Sequence, residues 1–404
     1  MLSAVRVLDC CDESGWLAGR ILADLGADVV KVEPPGGDRT ARRGPFLGGV
    51  ADPERSLPWL AFQAGKRGIT LDGAAPAARP ALARLLDWAD VLLETLAPAE
   101  RAAWGLDPAA VASAHPRLVH CSLTPFGCTG PYAGFRAGDL VAVAMGGNAS
   151  LTGDPDRPPL RCTLPSAWLH AGPEAALATV MALHARSAHG RGQHVDVSIH
   201  ECQLQTLLGA PGVAARTGRM ARRSGPRTGR TREIWAARDG WVSFGLRGGP
   251  SRAPGLRALV AWMDEEGAAP EWLRATDWEA FRADRLADDA LARNEAAFAA
   301  FFAAHTREAL FAGALARRVL LAPCNDAPAI AGQPQLRARG FFTSLALAEP
   351  GAALELPGAF ARSSAHAIGP RRRAPRVGEH VDEVFAAAGI AAAEREKLAA
   401  EGAV

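Results

Sequence analysis

Short apolar runs of strand length alternate with amphipathic helical segments over the first third of the chain. The segment 15–27 places Leu17 and Ile21 at helical spacing, and Gly26 suits the end of that helix. A second helix is predicted over 81–89. The predicted strands are VRVLDC (5–10), DVVKVE (28–33), GITLD (68–72), DVLLET (90–95) and PRLVHCSL (116–123). Strands that alternate with helices predict a parallel sheet covered on both faces, which is an α/β fold.

The pattern changes in the second half of the chain. The run PEAALATVMALHAR predicts a buried helix over 173–186 with Pro173 in its first turn, and HVDVSI (194–199) predicts another strand. Seven arginines lie between Gly209 and Arg232 among glycines and threonines, which indicates a linker. The predicted organisation is a large domain over 1–208, a linker over 209–234, a small domain over 235–325 and a return to the large domain over 326–404.

Composition excludes several classes of protein. The chain has 404 residues, of which 49% are apolar and 22% charged, and a formal net charge of +2, so no general affinity for nucleic acid is expected. It has no uncharged apolar stretch of ~18 residues and no secretory signal pattern, so we expect a cytoplasmic protein without a membrane anchor. Seven scattered cysteines without a CxxC pair predict neither a disulfide framework nor a metal site.

The turn after the first strand carries no dinucleotide-binding fingerprint. A GxGxxG motif would follow that strand in such proteins, whereas this chain has CDESG over 11–15. No P-loop is present either. The topology therefore indicates a Rossmann-like sheet with no direct signal for NAD or ATP.

Seven segments resemble the class III CoA-transferases, the CaiB/BaiF or formyl-CoA transferase-like family, in that family's order. They are LADLGADVVKVEPPGGD (22–38), KRGITLD (66–72), PRLVHCSLTPFGCTGPYAG (116–134), TGDPDRPPLR (152–161), GRGQHVDVSI (190–199), DAPAIAGQPQLRARGFF (326–342) and PRVGEHVDEV (375–384). The resemblance implies a Rossmann-like large domain built from both chain ends, a smaller inserted domain, and two subunits interlocked as a dimer. It also implies that the substrate is coenzyme A or an acyl-CoA.

The family's catalytic position is where the sequence departs from the pattern. Family transferases use one Asp that attacks a CoA thioester and then carries the CoA as an aspartyl thioester. Aligning Arg161, Pro165 and Gly172 with the family motif places Trp168 where that Asp belongs. The family's racemases use a His-Asp pair, whose His would fall beside Asp139, but the residue there is Gly138.

Three other residues are candidates for acid-base chemistry in place of the missing Asp. They are His170, Glu174 and Asp139, and for each of them a structural role is the alternative. Trp168 itself is expected to line a pocket.

The resemblance further implies where CoA would be bound. Lys66 and Arg67 match residues near the family's CoA site. Two further segments, Gly15-Trp16 and Thr95-Leu96, match CoA-contact segments but lack several of their characteristic residues.

These observations leave several functions open. The resemblance implies that the chain is a member of a CoA-transferase system, either as the subunit that lacks the catalytic Asp or as a catalytically divergent homologue. The alternatives are a stand-alone isomerase, dehydratase or cyclase that acts on a CoA thioester or another acid, and a non-catalytic acyl-CoA-binding scaffold. The expected assembly is a homodimer or a heteromer with an Asp-bearing paralogue.

Overall fold

The computed structural model describes residues 1–207, 209–347 and 351–404. The strands are β1 Arg6–Cys10, β2 Asp28–Glu33, β3 Arg67–Thr70, β4 Val91–Glu94, β5 Val119–Thr124, β6 His194–Ser198, β7 Arg227–Thr228, β8 Thr231–Arg232, β9 Ile234–Ala237, β10 Gly240–Phe244, β11 Leu321–Pro323, β12 Phe342–Ala346 and β13 Ala353–Pro357. The α-helices are α1 Trp16–Asp24, α2 Leu57–Phe62, α3 Arg79–Trp88, α4 Pro98–Trp104, α5 Pro108–Ala114, α6 Asp139–Met145, α7 Asn148–Leu151, α8 Ser166–His189, α9 Ile199–Gln205, α10 Gly209–Thr217, α11 Ala253–Glu265, α12 Glu271–Arg274, α13 Asp288–Ala303, α14 Arg307–Arg317, α15 Ala327–Gly332, α16 Pro334–Ala338, α17 Val381–Ala387 and α18 Ala392–Ala400.

The chain divides into two compact units. The first contains residues 1–149, 161–220 and 337–404, and the second contains 150–160 and 221–336. These divisions differ from the predicted domain boundaries at 208, 234 and 325.

The segment 150–160 belongs to the second unit because one arginine ties it there. The Arg223 guanidinium donates hydrogen bonds to the backbone carbonyls of Ser150, Asp154 and Arg157 at 3.0–3.1 Å. The contact is far from local in the sequence, so no pattern within 150–160 could have indicated it.

The prediction of a linker over 209–234 was wrong. Its first part forms α10, and its last part forms the short antiparallel pair β7–β8. Arg227 makes a two-pronged ion pair with Glu295 of α13, and Arg230 pairs with Asp288 at the start of the same helix. The arginines that suggested a solvated linker therefore hold this segment against α13.

The first unit is built on a parallel six-stranded sheet with the strand order β3-β2-β1-β4-β5-β6. The predicted parallel sheet is confirmed. This order reverses direction between β1 and β4, so the loops that follow these two strands flank the crevice in which open α/β sheets bind ligands.

Helix α8 begins earlier than predicted. It starts at Ser166, so Pro173 lies inside the helix and not in its first turn. The carboxylate of Asp139 accepts a hydrogen bond from the backbone N–H of Ala167 at 2.8 Å and caps this end. Because of this early start, Trp168 and His170 belong to the first turns of a long helix.

The second unit has its own core. Three antiparallel strands in the order β11-β10-β9 pack against helices α11 to α14. The core is rich in aromatic side chains, including Trp235, Phe244, Trp278, Phe298 and Phe302.

A fully buried ion pair lies beneath α1 in the first unit. Lys66 Nζ is 2.7 Å from Asp9 Oδ2, and neither side chain is exposed. The same ammonium donates to the backbone carbonyl of Trp16 at 3.1 Å. Gly19 covers the pair, since a Cβ at this position would collide with Asp9 Oδ2 and lie 2.8 Å from Lys66 Nζ.

We predict that Gly19→Ala destabilises the protein although alanine is the better helix former by about 1 kcal/mol. The added methyl group would force the buried pair apart, at an expected cost of about 2 kcal/mol or more. Urea unfolding measures the change, with Gly134→Ala as the control because no atom lies within 4 Å of the added Cβ there. Equal stability of the two variants would contradict the close approach of α1 to the ion pair.

Candidate functional site

A cavity of about 200 Å³ lies between the loop after β1 and the start of α8. Trp168, Trp16 and Phe62 form its aromatic walls, and Glu13 and Arg43 are its charged residues. Trp168 is half-buried and packs against the core under α8. The structure thus places Trp168, which we expected to line a pocket, in the wall of this cavity.

Asp139 lies at the end of α8 that carries Trp168. One of its carboxylate oxygens caps α8 through Ala167. The other is buried, accepts no hydrogen bond from any residue that the structure describes, and lies 3.8 Å from the Arg161 guanidinium. Asp139 therefore has a structural role as the cap of α8, which is the alternative to acid-base chemistry that the sequence left open. Asp139 does not line the Trp168 cavity.

His170 and Glu174 lie on a different face of α8 from Trp168. Two residues along an α-helix correspond to a rotation of about 200°. His170 is exposed, and its Nδ1 lies 2.9 Å from Nε2 of the buried Gln203 of α9. Glu174 is also exposed, one turn further along the same face. The three candidate acid-base residues therefore do not converge on the cavity.

The ion pair between Glu13 and Arg43 was missed by sequence reasoning. Glu13 Oε1 is 2.7 Å from Arg43 Nη1, with the Glu13 side chain 18% exposed and that of Arg43 70% exposed. Burial raises the pKa of Glu13 above its usual value, although Arg43 opposes the shift. The available signal was topological, since Glu13 lies in the loop after β1, where such sheets bind ligands.

The loops after β1 and β4 are joined to each other. Thr95 Oγ1 accepts a hydrogen bond from the backbone N–H of Asp12 at 2.8 Å. Gly15 permits this closeness, because a Cβ there would lie 2.7 Å from Cys11 Sγ and 2.8 Å from the Thr95 methyl group. Leu96 follows, with its N–H donating to Glu94. The segments at Gly15 and Thr95 therefore lie side by side at the switch point of the sheet.

Trp16 follows Gly15 and is 4% exposed. Its ring contacts Trp59 edge-on with centroids 5.5 Å apart, and Phe62 at 6.3 Å. The indole Nε1–H is buried and has no hydrogen-bond acceptor among the described residues. A buried donor without an acceptor is costly in a folded protein.

Comparison with known proteins decides the family. The sequence model of CoA-transferase family III matches residues 2–381. The chain is 31% identical over 409 aligned positions to the succinyl-CoA:(R)-benzylsuccinate CoA-transferase subunit BbsE of Thauera aromatica, covering 100% of this chain and 98% of that protein. The chain belongs to CoA-transferase family III.

Two further family relatives agree with this assignment. The succinate–glutarate CoA-transferase of Agrobacterium fabrum is 37% identical over 210 residues, about half of either chain (51% and 52%). The crystal structure of a CaiB/BaiF family protein from Brucella suis superposes with a TM-score of 0.80 at 26% identity, covering 96% of this chain and 98% of that one. The resemblance seen in the sequence and the mixed α/β fold are thus confirmed.

The structure corrects the role expected for Lys66 in this family member. Lys66 is fully buried in its pair with Asp9 and has no surface to offer a CoA phosphate. Burial lowers its pKa, although Asp9 opposes the shift.

Arg67 lies apart from the switch-point loops. It is the first residue of β3 and pairs with Asp28, the first residue of β2, and with Glu383. In a parallel sheet the first residues of strands lie at the edge opposite to the loops that follow them. Arg67 and the segments at Gly15 and Thr95 therefore do not form one site.

Buried charges line the carboxyl ends of the sheet. The Glu94 carboxylate accepts hydrogen bonds from the Arg101 side chain at 3.0 Å and from the Leu96 N–H. His120 Nε2 lies 3.4 Å from Glu94 Oε1. Burial alone would raise the Glu94 pKa, but His120 and Arg101 outweigh it and lower the pKa.

Among the described residues no three His, Cys, Asp or Glu side chains are grouped to hold a metal ion, and no helix is long and apolar enough to cross a membrane.

We predict a pH-dependent stability from Glu33 at the end of β2. Burial raises its pKa from 4.5 to about 7, with Lys31 opposing the shift. The folded state therefore holds the proton more tightly than the unfolded state, so this stabilisation is full below pH 4.5 and is lost as the pH rises through about 7. The unfolding free energy of the wild type relative to Glu33→Gln should fall by about 3 kcal/mol between pH 4.5 and 8. Parallel pH profiles of the two proteins would contradict a buried, protonated Glu33.

Proposed function

We propose that this chain is the subunit without a nucleophile in a CoA-transferase that moves CoA from a thioester to a carboxylic acid. The observation that carries the proposal is Trp168 in the wall of the cavity, at the position aligned with the family's Asp. An indole cannot form the anhydride and thioester intermediates that a carboxylate forms. The acceptor acid and CoA are therefore processed on an Asp supplied by a partner.

The carboxylates around α8 support this reading. Asp139 is occupied in capping the helix, and Glu174 is exposed on another face. Glu13 lines the cavity, but its carboxylate is held by Arg43. None of the three occupies the first turns of α8 beside the cavity, where the family's Asp would lie.

The relative from Thauera aromatica supports a heteromer, since its name describes it as a subunit of a CoA-transferase. For this chain we propose a partner that is an Asp-bearing paralogue, interlocked with it as a dimer. The partner supplies the nucleophile, and this chain supplies the facing surface and the cavity beside Trp168.

An apolar groove on the first unit supports a partner chain. It has a volume of about 690 Å³ and includes Ile21, Leu177, Val180 and Phe360. Leu177 and Phe360 are each 56% exposed. Large exposed apolar patches mark contacts with other proteins, membrane contacts or ligand grooves, and here we propose the partner chain as the occupant.

The stand-alone isomerase, dehydratase or cyclase is less well supported. It requires His170, Glu174 or Asp139 to act next to Trp168, and none of them lines that cavity. The non-catalytic acyl-CoA-binding scaffold remains as an outcome of the experiment below.

Co-expression with an Asp-bearing paralogue tests the proposal. We predict a stable mixed complex with CoA-transferase activity, and no activity of this chain alone. Leu177→Asp should weaken the complex by placing a charge in the apolar groove. His184→Asp is the matched control, because His184 is exposed on α8 outside the groove.

Three outcomes would contradict the proposal. Transferase activity of the isolated chain would show that it carries its own nucleophile. Failure to form any mixed complex would refute the proposal of a partner chain. Binding of acyl-CoA without activity in any combination would favour the scaffold.

A further inference from the structure

We propose that the cavity beside Trp168 binds an aromatic carboxylic acid, with its ring packed against Trp16, Phe62 and Trp168 and its carboxylate on Arg43 in place of Glu13. This inference rests on the proposed function, since it names the class of acid that the transferase system recognises at this position. It concerns binding alone and assigns no chemical step to the cavity.

The size and walls of the cavity fit a ring. An apolar protein cavity of about 150 Å³ holds benzene. The cavity here has about 200 Å³, which leaves room for a ring and a few further atoms. Three of its walls are aromatic, namely Trp16, Phe62 and Trp168, and Leu17 and Leu169 add aliphatic surface. Aromatic rings pack favourably edge-on or offset against one another, as Trp16 and Trp59 already do.

The charged residues of the cavity fit a carboxylate. Arg43 is the cation in the lining, and its guanidinium already binds a carboxylate, that of Glu13, at 2.7 Å. Arg43 is mostly exposed, so exchange of one carboxylate for another needs little rearrangement of the core. A guanidinium recognises carboxylates through paired, charge-assisted hydrogen bonds.

The position in the fold agrees with binding. Glu13 and Trp16 flank the turn between β1 and α1, at the switch point between β1 and β4. Open α/β sheets bind their ligands in the crevice at this point. The hydrogen bond from the Asp12 N–H to Thr95 Oγ1 holds the two loops together there.

Calorimetric titration tests the inference with three probes of similar size. They are 3-phenylpropanoate, which has ring and carboxylate, heptanoate, which lacks the ring, and 3-phenylpropan-1-ol, which lacks the carboxylate. The full chain is titrated alone and in the co-purified complex. We expect 3-phenylpropanoate to bind about two- to tenfold more tightly than heptanoate. It should bind at least about tenfold more tightly than 3-phenylpropan-1-ol.

Variants of the two charged residues should act in opposite directions. Arg43→Gln should weaken 3-phenylpropanoate binding about tenfold or more and leave the alcohol unchanged. Glu13→Gln should tighten binding several-fold, because the competing carboxylate is gone. Arg42→Gln is the matched control, since Arg42 is the neighbouring arginine and lies outside the cavity lining. If a variant lost its fold, its affinity for 3-phenylpropanoate would fall. Weaker binding by Arg43→Gln together with tighter binding by Glu13→Gln therefore excludes unfolding as the common cause.

The inference is overturned if 3-phenylpropanoate binds in neither preparation, if the ring gives no preference, or if both variants weaken binding. Its failure is separable from that of the proposed function. A chain that shows this ranking but forms no mixed complex refutes only the proposed function. An active mixed complex without this ranking refutes only the aromatic acid.

Discussion

The ion pair between Asp9 and Lys66 is the interaction on which the geometry of the site depends. Both charges are fully buried, and loss of one partner from such a pair costs about 3–5 kcal/mol because the other charge is left without compensation. Lys66 also holds the carbonyl of Trp16, so the pair fixes the start of α1. Gly19 lets α1 lie directly on it. The wall that Trp16 gives to the cavity is therefore set by a contact that the ligand never touches.

The start of α8 is the part of the molecule on which the proposed function rests. Asp139 caps the helix, and its first turn faces the cavity. At the position where the family resemblance leads us to expect a reactive carboxylate, Trp168 adds a large apolar surface next to Trp16 and Phe62. An intact cavity beside the unreactive Trp168 side chain suits a subunit that binds substrate while its partner carries out the chemical step. The family membership is compatible with this division of labour, because one relative is named as a subunit.

Local sequence patterns predicted the strands and the family well, because each depends on a contiguous run of residues. Lys66 was misjudged because its burial depends on Asp9, which is 57 positions earlier, and on the absence of a side chain at Gly19. Pro173 indicated a helix start, whereas the cap on Ala167 comes from Asp139 through a contact across 28 residues. Glu13 carried no periodic or spacing signal at all. Each failure concerns a contact between distant parts of the chain, which is information that composition and periodicity do not contain.

The most direct measurement is to trap the covalent intermediate and find which chain carries it. The mixed complex is incubated with an acyl-CoA, treated with hydroxylamine or borohydride, and both chains are digested and examined by mass spectrometry. We expect a hydroxamate or a reduced side chain on the Asp of the partner, and no modification of this chain. An adduct on any acidic residue of this chain, with Glu13 the foremost candidate because it lines the cavity, would contradict the account.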